Sequence, residues 1–314
     1  MSSPISFQAI RIFEEDGKFE QRIVERNTED LPEGEVLIQV HYSSLNYKDA
    51  LSASGNRGVT RNYPHTPGVD ASGIVAASTD PDFKAGDSVI VTSYDLGMKT
   101  DGGFGEYIRV PAAWVLPLPE DLTLQEAMIY GTAGFTAAQS FWELQTAGCK
   151  PENGPVLVTG AAGGVGSIAV RLLLKAGYEV AAVSGNDTGK SLLKELGVQQ
   201  ILDREDAVDD GNRPLLKTQW NGVIDNVGGL PLSTSLKTTK PGGVITTCGS
   251  VAGAELSTTV WPFILRGLRL IGIDSQNCPY DLRKKLWELL ATDWKLPNLS
   301  AGLKEVLMEE MMNE

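Results

Sequence analysis

The chain has 314 residues, enough for two domains with sizeable cores, and its 42% apolar and 21% charged composition is that of an ordered globular protein. No apolar run approaches the roughly 18 residues of a membrane span, and the opening MSSPISFQAIRIFEEDGK lacks the basic start and apolar stretch of a secretory signal, so a cytoplasmic location without a membrane partner is expected. A net charge of −13 argues against nucleic acid as a partner, because a phosphate backbone repels such a surface.

The first quarter reads as β-rich. EVLIQVHYSSLN (35–46), GVDASGIVAAS (68–78), GDSVIVTSY (86–94) and GGFGEYIRVP (102–111) are short apolar or alternating runs set off by Gly, Asp and Pro. Strands at this spacing predict a small, strongly curved sheet or partial barrel. TLQEAMIYGTAGFTAAQSFWEL (123–144) then takes up helical spacing, with Thr123 and Glu126 as a capping box. From Val156 strand and helix alternate: strands at 156–159, 179–185, 198–203, 220–229, 242–250 and 268–274, helices at about 165–176 and 190–197, and a helical turn or two at 230–239. Six apolar strands in this order predict a doubly wound parallel sheet covered on both faces, the dinucleotide-binding Rossmann fold. An amphipathic helix at 281–294 follows the last strand. The fold class is therefore α/β, with a Rossmann domain at 128–276 and a β-rich, partial-barrel domain at 1–127 that 277–314 completes.

VLVTGAAGGVGSIAVRLLLKAG, from Val156 to Gly177, places four glycines where a strand becomes a helix. One reading is packing alone, since small residues let a helix sit close to a sheet. The sharper reading is a phosphate cradle. A helix N-terminus carries N–H groups without intrahelical partners and a partial positive charge, and a pyrophosphate sits there when no side chain blocks the backbone. Gly163 and Gly164 clear that approach, Val165 beside them is a further coenzyme-binding candidate, and Gly166 lets the helix pack tightly; Ala161 stands where glycine is more usual. The next strand ends AVSGNDT, with Ser184, Gly185 and Asn186 at the tip and no carboxylate of the kind that binds the NAD ribose. Ser184, Asn186 and Thr188 offer hydrogen bonds, and Lys190 or Arg204 offers charge, which favours NADPH over NADH. SGNDTGK is also a good turn and helix cap.

Metal chemistry is not expected. Cys149, Cys248 and Cys278 are odd in number and far apart, and His41 and His65 are the only histidines. Without a Lewis acid, hydride transfer to an activated double bond is easier than alcohol oxidation, because the substrate carbonyl takes up the developing charge.

SSLNYKDAL, RNYPHTPGVDASG, IYGTAGFTA, VTGAAGGVGS, VSGNDT and TTVWPFILRGLRLIGIDS together resemble the zinc-independent quinone oxidoreductases of the medium-chain dehydrogenase/reductase superfamily, and are most similar to the branch containing NADPH-dependent acryloyl-CoA reductase. The likeness runs to about Trp294, and Val69 and Asp70 stand where zinc-dependent relatives carry a His-Glu pair. The resemblance implies a GroES-like catalytic domain with Asn46 and Tyr47 beside nicotinamide and substrate, and with Asp49 bracing that turn or simply capping the helix. It implies that Thr132 approaches the cofactor, that Asn226, Gly249 and Ser275 lie at strand ends lining the site, and that Ser184, Asn186 and Arg204 surround the ribose phosphate. Arg61 and Arg266, with Arg57, Arg269 and Lys284, are candidates for the phosphates of an acyl-CoA. It further implies a homodimer that pairs the strand at 268–274 across a twofold axis, and a final glycine-basic turn and strand beyond LKEVLMEEMMNE, where this chain stops at Glu314, so that a contact from that segment is expected to be missing. The expected activity is NADPH-dependent reduction of a short enoyl-CoA such as acryloyl-CoA. Quinone reduction is the alternative within enzymes, and a non-catalytic NADPH-binding structural or regulatory protein the alternative outside them.

Overall fold

The computed structural model describes residues 4–300 and 304–311. The positions where the C-terminal departure begins, 312–314, lie outside the described residues. The chain divides into two compact units: one runs from the N-terminus to Thr132 and resumes at Gln276, and the other is Ala133–Ser275.

The first unit opens with a hairpin that the sequence reading missed, β1 (Ser6–Glu15) and β2 (Lys18–Asn27). Its turn is Asp16–Gly17, both at positive φ (51° and 75°), the Asp-Gly pair that a tight hairpin favours. Next come β3 (Val36–Tyr42), α1 (Tyr47–Ala53), β4 (Asp70–Ser78), β5 (Ser88–Thr92), β6 (Tyr107–Val110) and β7 (Leu116–Pro117). These strands form an antiparallel five-stranded sheet in the order β6-β3-β4-β5-β7. Alternation sends Val36, Ile38, Val75, Val89, Val91 and Ile108 into one core. The helix α2 (Leu124–Thr146) begins with the expected capping box: Glu126 N–H donates to Thr123 Oγ1 at 3.1 Å, and Thr123 N–H to Glu126 Oε2 at 2.9 Å. It is not one continuous helix. Gly131 (φ 49°, ψ −157°) kinks it, a break that the helical spacing of the side chains does not report.

The second unit contains β8 (Val156–Val158), α3 (Gly164–Lys175), β9 (Val180–Val183), α4 (Asp187–Glu195), β10 (Gln200–Leu202), β11 (Trp220–Asp225), α5 (Gly229–Thr238), β12 (Thr239–Thr247), α6 (Trp261–Arg266) and β13 (Arg269–Gly272). All six strands are parallel, in the order β10-β9-β8-β11-β12-β13. The order reverses between β8 and β11, the switch point at whose carboxyl side such sheets bind ligands. The strand expected at 220–229 stops at Asp225, the one at 242–250 starts earlier at Thr239, and α6 was not anticipated. The amphipathic helix α7 (Tyr280–Ala291) belongs to the first unit and buries Arg283, Leu286, Trp287 and Leu290. The architecture is the expected α/β class, a doubly wound parallel sheet with a separate antiparallel β unit. Among the described residues, no helix is long and apolar enough to cross a membrane.

Candidate active site and coenzyme site

In the second unit the glycine turn joins β8 to α3, and α3 opens on Gly163, whose neighbour Gly164 is exposed with it. A Cβ on Gly163 would meet Gly160 O, and one on Gly164 would meet Ala133 Cβ, each at 3.3 Å, a tight contact that a small shift of the neighbour relieves. Gly166 differs: its Cβ would stand 2.3 Å from Gly160 O and 2.7 Å from Ala161 Cα. Packing therefore accounts for Gly166, while Gly163 and Gly164 are exposed. Gly160 itself adopts φ 57°, a conformation that side chains disfavour.

The tip of β9 lies against this turn. Ser184 is buried, and a Cβ on Gly189 would meet both Ser184 Oγ (2.3 Å) and Ala162 Cβ (2.7 Å), so only glycine lets α4 start this close. Asn186 is the N-cap of α4 and accepts from Gly189 N–H at 2.7 Å, the capping role SGNDTGK allowed. The Arg204 guanidinium lies over Gly185, where an added Cβ would come within 2.1 Å of its Nε. Lys190 is different: its ammonium is paired with Asp203, which raises its pKa, so its charge already has an acidic partner. Of the two expected cations, Arg204 is the one without an ion pair among the described residues.

Asp225, missed as a site residue, braces the ends of three strands. It is fully buried and accepts from Thr159 Oγ1 (2.8 Å), Thr247 Oγ1 (2.8 Å) and Gly228 N–H (3.0 Å). Asn226 is held in turn: its amide donates to Thr159 O at 2.7 Å, and Cys248 Sγ donates to its Oδ1 at 3.2 Å. Burial, then the Asp225 charge, pushes the Cys248 thiol up to about 12, which keeps it protonated for that bond. Gly249 is forced, since a Cβ there would lie 2.0 Å from Asn226 O. Ser275 follows β13 and accepts from Thr136 Oγ1 at 2.8 Å.

In the first unit, α1 starts at Tyr47, which is 68% exposed. The Asp49 carboxylate is buried and accepts three backbone N–H groups, from Asn46 (2.8 Å), Gly68 (3.1 Å) and Val69 (3.0 Å). It ties the start of α1 to the approach of β4, a bracing role. Burial, then the neighbouring Asp70 carboxylate, pushes its pKa up to about 7 against those three donors. Asp70 was passed over as a site residue. It gathers Ser44, Asn46 and Thr132: Asn46 Nδ2 donates to Oδ2 at 2.8 Å, and Thr132 Oγ1 to Oδ1 at 2.6 Å. A charged residue at the start of an otherwise apolar strand, VDASGIVA, was the available signal.

Two substrate candidates fare differently. Arg266 is withdrawn from the list: its guanidinium donates to Leu216 O (2.6 Å), Lys237 O (2.7 Å) and Thr239 O (3.0 Å), closing the C-terminal end of α5. Arg61 has an exposed side chain, and its carbonyl accepts from Arg57. Arg57 pairs with Glu14 and lies over the Phe19 and Tyr63 rings.

Two family models match this chain, the alcohol dehydrogenase GroES-like domain over residues 32–120 and the zinc-binding dehydrogenase over 164–292. Acrylyl-CoA reductase AcuI of Ruegeria pomeroyi is 42% identical over 298 residues, 95% of this chain and 90% of its own. The chain belongs to the zinc-independent quinone oxidoreductase family of the medium-chain dehydrogenase/reductase superfamily. Two solved structures of relatives superpose closely. The YhdH oxidoreductase from Salmonella enterica in complex with NADP is 43% identical, with a TM-score of 0.94 over 98% of this chain and 94% of that one. The Bacillus subtilis protein YhfP with NAD bound is 46% identical, with a TM-score of 0.95 over the same shares.

Zinc, which one family model names, does not fit these residues. His41 is exposed on β3, and His65 is buried with Nε2–H donating to Gly97 O at 2.8 Å. Of the pair that stands in place of His-Glu, Val69 offers no metal-binding side-chain atom, and Asp70 spends its oxygens on hydroxyl, amide and N–H donors. Among the described residues no three His, Cys, Asp or Glu side chains converge as a metal site. A dinucleotide does fit, at the exposed glycine turn that opens a twelve-residue helix, with Arg204, without an ion pair among the described residues, lying over Gly185 beyond the next strand.

Proposed function

We propose that this chain is an NADPH-dependent reductase of an activated carbon–carbon double bond, with a short enoyl-CoA such as acryloyl-CoA as substrate. The observation that carries the coenzyme is the tip of β9, where Ser184, Gly185 and Asn186 present no carboxylate and Arg204 lies over Gly185. A 2′-phosphate meets a cation there instead of a negative charge. When bound, NADPH supplies the hydride. The chain's own part is to hold the diphosphate on the bare N–H groups of Gly164, Val165 and Gly166, and to orient the reactants. Asn46, Tyr47 and Thr132 act beside nicotinamide and substrate, and Asn226, Gly249 and Ser275 line the coenzyme site. Hydride goes to the β-carbon and a proton to the α-carbon, with the carbonyl oxygen carrying the charge between the two events. In this reading residues 128–276 are the coenzyme domain, and 1–127 with the segment from 277 onward are the catalytic domain. The protein works in the cytoplasm as a homodimer joined along β13. Unpaired edge-strand groups support that pairing, as do the exposed Trp261, Ile264 and Leu265 of the preceding α6.

Quinone reduction is the second reading, favoured by one observation: Arg266 is committed to backbone carbonyls, so one of the cations offered for CoA phosphates is already engaged. Stopped-flow oxidation of NADPH separates the readings, run with acryloyl-CoA, with a quinone, and without acceptor. Rapid oxidation dependent on acryloyl-CoA is expected. Oxidation by quinone alone would transfer the assignment to the second reading, and tight NADPH binding with no oxidation by either acceptor would sink both.

A further inference from the structure

The kink in α2 and the carboxylate of Asp70 form a single device. In an unbroken helix the Thr132 N–H would donate four residues back. Gly131 turns the chain out of the helical path, and Thr132 N–H donates to Asp70 Oδ2 at 2.8 Å. The close approach requires glycine, because a Cβ at 131 would stand 2.7 Å from Asp70 Oδ2 and 2.5 Å from Ser44 Oγ. The same Oδ2 takes Ser44 Oγ at 2.5 Å and Asn46 Nδ2 at 2.8 Å, and Oδ1 takes Thr132 Oγ1 at 2.6 Å. Segments 86 residues apart in sequence, Asn46 and Thr132, thus end on one fully buried carboxyl group.

We propose that Asp70 is a positioning residue for the reduction, fixing the orientation of Asn46 and the polarity of the Thr132 hydroxyl. This rests on the reading that puts Asn46 and Thr132 beside nicotinamide and substrate. The polarity follows from proton counting. A carboxylate only accepts, so the single Thr132 hydroxyl proton is directed at Asp70. The hydroxyl of Ser93, 2.9 Å from Thr132 Oγ1, must then be the donor in that contact. The hydroxyl chain runs Ser93 to Thr132 to Asp70, and Thr132 faces its remaining surroundings as an acceptor. Two ionisable groups lie close to this anchor. Asp49 shares the start of α1, and Arg283 on α7 donates to Thr92, the cross-strand partner of Asp70 on β5. Desolvation by packing would be met equally well by an uncharged side chain; the four donors converging on one carboxyl group are what single out the anchor.

Asp70→Asn keeps the shape and replaces one acceptor with a donor that faces donors. The test compares Asp70→Asn, Thr132→Val and the double variant in single-turnover oxidation of NADPH by acryloyl-CoA, with NADPH affinity followed by fluorescence. Each single variant is expected to slow hydride transfer at least 10-fold, with KM for the acceptor within about 3-fold, and the double variant to be no slower than the worse single one. Losses that multiply, or an unchanged rate in Asp70→Asn, overturn the proposal. Should Asp70→Asn fail to fold, Gly131→Ala crowds the same oxygen with the carboxylate still present, and must give the same slowed transfer and the same non-additivity with Thr132→Val. If the wild-type chain reduces neither acceptor, the functional reading has failed and the anchor is judged on coenzyme binding alone. Non-additive losses of NADPH affinity in Asp70→Asn and Thr132→Val then support it, and additive or absent losses overturn it.

Discussion

At the scale of single residues, what a charged side chain can do depends on what already holds it. Lys190 on α4 is paired with Asp203, while Arg204, just past β10, lies over Gly185 with no acid paired to it among the described residues. An arginine–phosphate contact is worth roughly 1.5–3 kcal/mol. Arg204→Ala is therefore expected to raise the NADPH dissociation constant about 10- to 100-fold and to leave NADH unchanged, while Lys190→Ala changes both less than about 3-fold. Fluorescence titration with the two coenzymes checks this, and an equal loss for both would show that Arg204 does not read the phosphate. Arg266 makes the opposite point. Its sequence neighbourhood, PFILRGLRLIG, offers nothing to separate a ligand-binding arginine from one that closes a helix, and the carbonyls it serves come from residues 216, 237 and 239.

At the scale of elements, α1 and the entrance to β4 are joined by one carboxylate. Asp49 sits in the folded chain with its pKa pushed up to about 7, above the ordinary 3.8 of an aspartate. A raised carboxylate pKa means that the folded state holds the proton more tightly than the unfolded state. The stability it contributes is fully present below about pH 4 and is lost as the pH rises through 7. The gap in unfolding free energy between wild type and Asp49→Asn should therefore shrink by on the order of 2–4 kcal/mol between pH 4.5 and pH 8. Denaturant titrations across that range measure it. A gap that does not change with pH would mean that the three backbone N–H donors keep the carboxylate charged throughout. The same element shows where sequence reasoning stops: Asn46 and Asp49 stand at cap spacing, which reveals a helix start but not the contacts of Asp49 with Gly68 and Val69.

At the scale of the whole molecule, the six-stranded sheet ends on β13, whose outer edge has no partner strand among the described residues. In the preceding α6, Ile264 and Leu265 are 63% and 61% exposed, so an apolar surface adjoins an open edge. The proposed self-pairing across a twofold axis would cover both. Light scattering is expected to return twice the chain mass, and Ile264→Glu combined with Leu265→Glu to return a single chain; a wild-type monomer at micromolar concentration would remove the pairing.

Much of the fold was legible in the residues. The alternation of strands and helices from Val156 onward, the capping box at Thr123 and the glycine turn into α3 each follow from spacing or backbone sterics within a few residues. The hairpin at Asp16–Gly17 was equally local and was overlooked, while the kink at Gly131 leaves the apolar period intact and so leaves no trace in it. What only the tertiary structure decided is which polar groups meet. Asp70 with Thr132, Asp225 with Thr159 and Thr247, and Arg266 with three distant carbonyls are pairings across tens to scores of residues. A side chain's own sequence says what it can donate or accept, but its partners are set by how strands and helices pack, and the chemistry of this protein rests on those partners.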